Sequence, residues 1–283
     1  MANSIHMVLS PQYQLTDLPV VCLCGIEIHA LSESRCVAWI SNELGARRGG
    51  WVVTVNLDHL RRMVDDASYM ALCAGSTLLV ADGMPLVWAS WLQGTPLPQR
   101  VAGSNMILTL TAAVASIGKS VFLLGGDPGT AEKTARVLRD RYNELHIAGT
   151  LCPPIGFENH PTKIDKITQT LVDAQPDIVY VALGSPKQER LINALRDKMP
   201  HTWWMGVGIS FSFLSGDVQR APHWLQRLGL EWLHRLIQEP RRLGRRYLID
   251  GLPFAARLMA GAIAKRWESR TATSKRRNAK QND

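Results

Sequence analysis

Several apolar runs in this chain end in polar side chains, and some of those ends can do chemistry. The run Val52-Val53-Thr54-Val55-Asn56 carries Thr54 and Asn56 two residues apart, on one side of an extended strand. Either can hydrogen-bond a ligand, and Asn56 equally suits the cap of a following helix. Val80-Ala81-Asp82-Gly83 ends in a carboxylate. Asp82 can act as a general base toward a hydroxyl, or as an ordinary cap ahead of Met84-Pro85. Arg100 follows the proline turn at 96–98 and can meet an anion or simply stay solvated.

Two glycine-bearing turns add to these ends. Phe122-Leu123-Leu124-Gly125-Gly126-Asp127-Pro128-Gly129 lets backbone N–H groups approach a phosphate at a helix start. It is neither GxGxxG nor a P-loop, so ordinary NAD or ATP binding is not indicated. Leu183-Gly184-Ser185-Pro186-Lys187-Gln188-Glu189 repeats the logic, with Ser185 as a cap and Pro186 as first helical residue. Its first turn presents Lys187 and Gln188. Metal chemistry has no such support. Cys22-Leu23-Cys24 is too closely spaced for a zinc pair, and no His/Cys cluster completes a ligand set. The odd count of five cysteines, mostly in apolar runs, predicts buried reduced thiols.

The elements that must position these groups follow from periodicity. Strands are predicted at 19–23, 51–55, 78–81, 120–124, 146–150, 177–182 and 202–207. Helices are predicted between them at 58–74, 104–117, 130–142, 165–174 and 187–198. Such alternation predicts an α/β fold, a Rossmann-like, mostly parallel sheet with helices on both faces. In such sheets ligands bind beyond the carboxyl ends of the strands, where Asn56, Asp82 and Gly184 fall. Residues 1–18 read as a loose arm, 19–215 as the catalytic domain, 216–267 as a helical, basic appendage and 268–283 as a loose, polar end.

Charge sets the appendage apart. Residues 241–283 hold twelve Lys and Arg against three acids, a balance of +9 in a chain of net +8. The first 240 residues, 20 basic against 21 acidic, are therefore close to neutral. A cationic, partly apolar end suggests an anionic surface or a phosphorylated substrate. Residues 222–239 predict one helix with Trp224, Leu225, Leu228, Trp232, Leu233 and Leu236 as its stripe and Glu231 within reach of Arg235. Pro240 is expected to stop it. No run reaches the roughly 18 apolar residues of a spanning helix. Residues 251–267, interrupted by Arg257, instead have the composition of a helix lying in a membrane interface. The start, MANSIHMVLSPQYQLTDLP, shows no basic region before an apolar core, so no secretory signal is expected. A hydrophobic fraction of 46% with 20% charged residues excludes a disordered chain.

In order along the chain, these segments resemble the bacterial glycosyltransferases of the WecG/TagA/CpsF type. The matching runs are TVN (54–56), ADG (81–83), PLPQRVAGS (96–104), FLLGGDPGTAEK (122–133), PD (176–177) and LGSPKQE (183–189). RAP (220–222), LEWLHRL (230–236) and EPRRLGRRY (239–247) follow. The resemblance implies an inverting transferase of the GT-E fold that needs no metal and no cofactor. It moves a sugar from a UDP-sugar to a sugar on an undecaprenyl-diphosphate carrier, peripherally bound at the cytoplasmic face of the inner membrane. It implies Asp82 as catalytic base, and Thr54, Asn56, Arg100 and Gln188 as pocket residues. Arg235, Arg242 and Arg245 would close over the site from the appendage. The expected partners are the donor, the lipid-linked acceptor and an anionic membrane; self-association stays open. One departure touches the donor pocket. Gly208-Ile209-Ser210-Phe211-Ser212 stands where such proteins carry a Gly-Gly-Ala-Phe-Asp-like run, so Ser212 replaces an aspartate. Family donors carry N-acetylmannosamine, its uronic acid or glucose; ADGMPLVWAS leans toward glucose and exopolysaccharide assembly. A membrane-bound scaffold without catalysis is the competing reading. Nucleic-acid binding is disfavoured, because the basic end lacks interleaved aromatic platforms beyond Tyr247, Phe254 and Trp267.

Overall fold

The structure is a computed structural model and describes residues 15–279. An antiparallel hairpin, β1 (Val20–Leu23) and β2 (Ile26–His29), comes first. Then follow α1 (Glu33–Gly45), β3 (Gly50–Val55), α2 (Leu57–Asp65), α3 (Ala67–Cys73), β4 (Leu78–Ala81), α4 (Met84–Gln93), α5 (Gly103–Ala115) and β5 (Ser120–Gly125). The second half runs through α6 (Thr130–Arg141), β6 (His146–Leu151), α7 (Pro161–Ala174), β7 (Ile178–Ala182), α8 (Lys187–Leu195), β8 (Trp203–Gly206) and α9 (Ser210–Leu214). The appendage comprises α10 (His223–Arg227), α11 (Glu231–Gln238), α12 (Pro240–Gly244), a π-helical stretch (Arg245–Gly251) and α13 (Leu252–Ala279).

Strands β3 to β8 form one parallel sheet in the order β4-β3-β8-β7-β5-β6. Its two faces are buried by alternate residues, as the pleat requires. Phe122 and Leu124, Val179 and Val181, and Trp204 pack on one face against α2, α3, α4, α7 and α8. Val121 and Leu123, Ile178 and Tyr180, and Trp203 and Met205 pack on the other against α1, α5, α6 and α9. Near-continuous apolar runs are what such double burial demands. The α/β architecture expected from the sequence is present.

The differences lie at boundaries. Strand β2 was not expected, although Ile26-Glu27-Ile28-His29 alternates with period two. It flanks the edge strand β4, where the Leu79 N–H donates to His29 Nδ1 at 3.1 Å. The helix expected at 58–74 breaks at Asp66, whose Oδ1 accepts from Ser68 N at 2.9 Å and Tyr69 N at 3.2 Å and so starts α3. The helix expected at 222–239 also breaks, into α10 and α11, at a turn holding Gly229 with φ +73°. A Cβ on Gly229 would lie 2.5 Å from Met84 Cβ and Cγ, so glycine is what lets this turn meet the start of α4. Pro240 stands just past the end of α11 at Gln238, as expected, and also opens α12, as its fixed φ allows at a first helical position.

As a result one helical segment, Pro240–Thr271, contains an 18-residue window of mean hydropathy 1.2, long and apolar enough to cross a membrane. The expectation of no such run rested on residues 251–267 alone, with Arg257 as an interruption and Lys265 to Trp267 as the end, whereas the helical segment begins at Pro240. Yet Phe254, Leu258 and Ala262, spaced by four, are buried in the same core as the sheet face above α4. Arg257 pairs with Asp65 at 2.6 Å, and Arg266 Nη1 donates to Trp91 O at 3.3 Å. The helix therefore lies along the body. It continues to Ala279, through residues expected to be loose. Residues 1–14 of the expected arm, and 280–283, lie outside the described residues. The five cysteines are free; Cys36 and Cys73 are buried, whereas Cys24 is exposed, contrary to a uniformly buried set.

Candidate active site

The carboxyl end of β4 places Asp82 between two helices. It does not cap the helix that follows, since α4 has Gly83 at its cap without a side-chain bond. Instead Asp82 Oδ2 accepts from the Gly103 N–H, 3.3 Å away, at the uncapped start of α5. Val101 N donates to Ala81 O at 2.7 Å, which folds the 96–102 loop back beside the strand and brings Arg100 in. Burial pushes the Asp82 carboxyl up to about 6. Arg100, the Gly103 N–H and Arg220 pull it back, and Glu231 raises it further.

Arg100 is not a solvated loop residue, being 15% exposed. Its Nη1 donates to Glu231 Oε2 at 3.1 Å, and Arg220 Nε donates to Glu231 Oε1 at 3.1 Å. Glu231 opens α11, so this carboxylate ties the appendage to the loop beside Asp82. The expected Glu231–Arg235 pair does not form; the two guanidiniums from other segments take the carboxylate, and Arg235 turns to Glu239 at 3.8 Å.

Thr54 and Asn56 lie at the end of the neighbouring strand, β3. Thr54 is 7% exposed and sits below α5, where a Cβ on Gly103 would come within 3.1 Å of its Oγ1. Asn56 caps α2, with Oδ1 accepting from Asp58 N at 3.0 Å and His59 N at 3.1 Å. Its capping role is thus realised, and only its amide nitrogen is left for a ligand. His59 Nδ1 lies 3.0 Å from Thr54 O, and burial lowers the His59 pKa, favouring the neutral ring.

Gln188 is 5% exposed beneath the end of β8, not presented at the rim as its place in a first helical turn suggests. Its Nε2 donates to Glu189 Oε1 at 2.9 Å, and its Oε1 accepts from Gly208 N at 3.3 Å. A Cβ on Gly206 would lie 2.4 Å from Nε2, so the glycine makes room for it. With Thr54, His59 and Glu189 it lines a cavity of about 10 Å³ under the site. Lys187 pairs with Glu158, and Ser185 Oγ meets the Tyr69 hydroxyl at 3.0 Å instead of capping. The N–H of Gly126 is committed to Ala182 O at 2.7 Å, so that group of the glycine turn is not free for phosphate.

The appendage arginines are distributed differently from expectation. Arg242 also pairs with Glu239, at 2.6 Å, and Arg245 is exposed. No hydrogen bond or ion pair among the described residues ties Arg235, Arg242 or Arg245 to Asp82. Arg246 bridges to Asp58 at 3.1 Å, on the helix that Asn56 caps. Sequence reasoning left Arg220 and Arg246 without a role and gave Glu231 only the pairing with Arg235. Arg100 lies 131 residues from Glu231, and Arg246 is as remote from Asp58, whereas Arg220 meets Glu231 eleven residues on, beyond α10. Ser212 is buried in α9, while Asp217 is held by Lys133 at 2.7 Å and Thr130 Oγ1 at 3.2 Å. Among the described residues no three His, Cys, Asp or Glu side chains converge to hold a metal ion. The glycosyl transferase WecG/TagA/CpsF family model matches residues 21–268, well over half of the chain.

Proposed function

The chain belongs to the WecG/TagA/CpsF glycosyltransferase family of cell-surface polysaccharide synthesis, and we propose that it moves a sugar from a UDP-sugar to a sugar carried on undecaprenyl diphosphate. Asp82 is the base. It takes the proton of the acceptor hydroxyl as that oxygen attacks the anomeric carbon from the face opposite the diphosphate. The bond between the sugar and the β-phosphate oxygen breaks, and UDP departs with the electron pair.

The observation that carries this reading is Asp82 itself. A carboxyl pushed up to about 6 is ionised at neutral pH yet basic enough to accept a proton in the transition state. It stands beside Arg100 and Arg220, which can stabilise charge building on the leaving diphosphate without a metal. The ADGMPLVWAS run supports glucose as the donor sugar. The site of action is the cytoplasmic membrane face, where the lipid-linked acceptor lies and where the exposed Leu248, Ile249, Leu252 and Trp267 can insert.

A donor screen against a synthetic polyprenyl-diphosphate-sugar acceptor tests the reading. UDP release should require both substrates, continue in EDTA, and be greatest with UDP-glucose. Release with UDP-N-acetylmannosamine only would move the donor; none with any donor would favour a non-catalytic scaffold.

A further inference from the structure

Arg220 shares its carboxylate partner with Arg100, and the way it is held says what the pair can bind. It leaves the body just after α9 and is held from two sides. Its Nε donates to Glu231 Oε1 at 3.1 Å, and its guanidinium lies 6.0 Å from the centroid of the Phe213 ring. Its Nη2 is buried without a hydrogen-bond partner. Buried guanidinium nitrogens normally find an acceptor, because a dry, unpaired donor is costly. Arg100 is bound in the same one-sided way, through Nη1 alone. Glu231 thus accepts one bond from each arginine, and no other hydrogen bond from either fork is formed among the described residues.

We propose that Arg220 and Arg100, spaced by Glu231, form an anion clasp beside Asp82 that takes the diphosphate of the substrate, with Glu231 as the positioning residue. The identification of the anion as a diphosphate rests on the transferase reading; the clasp itself rests on the geometry. Two planar forks held at a fixed separation suit an anion with several oxygens better than a point charge does. The carboxylate that spaces them enters on α11, so the clasp exists only while the appendage is docked. This also gives the Gly229 turn a purpose, since it is the close approach to Met84 that seats Glu231.

Calorimetric titration of inorganic pyrophosphate into the full-length protein, in chelator-treated buffer, tests the clasp. Arg220→Gln should weaken binding on the order of 10- to 100-fold, the loss of one or two charge-assisted hydrogen bonds. Arg220→Lys, which keeps the charge but not the fork, should fall in between. Lys119→Gln, at the opposite end of the sheet where Lys119 pairs with Asp177, should bind like wild type. Glu231→Gln separates positioning from simple charge. Removing a negative charge near an anion site should tighten binding, whereas losing the spacer should weaken it, and weakening is expected. Wild-type affinity in Arg220→Gln, an equal fall in Lys119→Gln, or tighter binding in Glu231→Gln would overturn the proposal. If Arg220→Gln does not fold, wild-type affinity in Arg220→Lys overturns it instead. Arg220-dependent pyrophosphate binding without UDP release from any donor would remove the transferase reading and leave the clasp. UDP release with pyrophosphate binding indifferent to Arg220 would do the reverse.

Discussion

At the scale of residues, Asp82 couples chemistry to stability. Its carboxyl ordinarily titrates near 3.8 but is pushed up to about 6 in the fold, chiefly by burial. The folded state therefore holds a proton that the unfolded chain has already lost between these values. Its contribution to stability is full below 3.8 and is lost as pH rises through 6. Asp82→Asn should accordingly be more stable than wild type at pH 7.5, by on the order of 2 kcal/mol, with the gain vanishing below pH 4. Thermal melts at both pH values check this; a destabilised variant at pH 7.5 would mean that the carboxylate is held by more than the Gly103 N–H. The same substitution should bind donor but lower turnover by roughly 100- to 10,000-fold, the usual contribution of a general base. Asp82, Arg100 and Thr54 were legible in the sequence because each stands at a strand end or a turn within a recognisable run. Arg220 and Glu231 were not, because what matters about them is a contact closed only by tertiary packing.

At the scale of elements, the decisive feature is a break. A stripe of Trp and Leu at helical spacing reads as one helix over 222–239, and local pattern gives no cause to interrupt it. The cause is Gly229, whose positive φ and contact with Met84 turn the chain toward the site. Gly229→Ala should strain the backbone and drive a Cβ into Met84, costing about 1–3 kcal/mol. Its effect should be local: faster hydrogen exchange in α10 and α11, at least a tenfold loss of turnover, and an intact sheet. Protection unchanged in α11 would show that the turn does not seat it. The strands themselves were legible nearly to the residue, since a doubly buried parallel strand must be almost wholly apolar. The hairpin strand β2, four residues long with one exposed side chain, carries too little signal to stand out.

At the scale of the whole molecule, the cationic end divides by partner. Arg257 and Arg266 hold α13 against the body, and Lys265 Nζ donates to Cys22 O at 3.2 Å. Those charges are committed internally, so attraction to an anionic leaflet must come mainly from other cations such as Arg241 and Arg245, together with the exposed apolar side chains. Because Phe254, Leu258 and Ala262 complete a core, removing everything after Ser215 would bare that core and confuse membrane release with unfolding. A double Ile249→Glu, Trp267→Glu variant is the cleaner probe. Ile249 and Trp267 are 66% and 70% exposed, so the change should leave the melting temperature alone while lowering partition to anionic vesicles at least tenfold. Vesicle sedimentation that matches wild type would remove this face from the membrane.

The central claim, that Asp82 is the base of a UDP-sugar-dependent transferase, is tested most directly by the pH profile of UDP release at saturating donor and lipid-linked acceptor. The expected result is release that requires both substrates, with kcat falling on the acid side around pH 6 in wild type and turnover lowered roughly 100- to 10,000-fold in Asp82→Asn. Acceptor-independent release, or an Asp82→Asn variant that turns over at close to the wild-type rate, would contradict it.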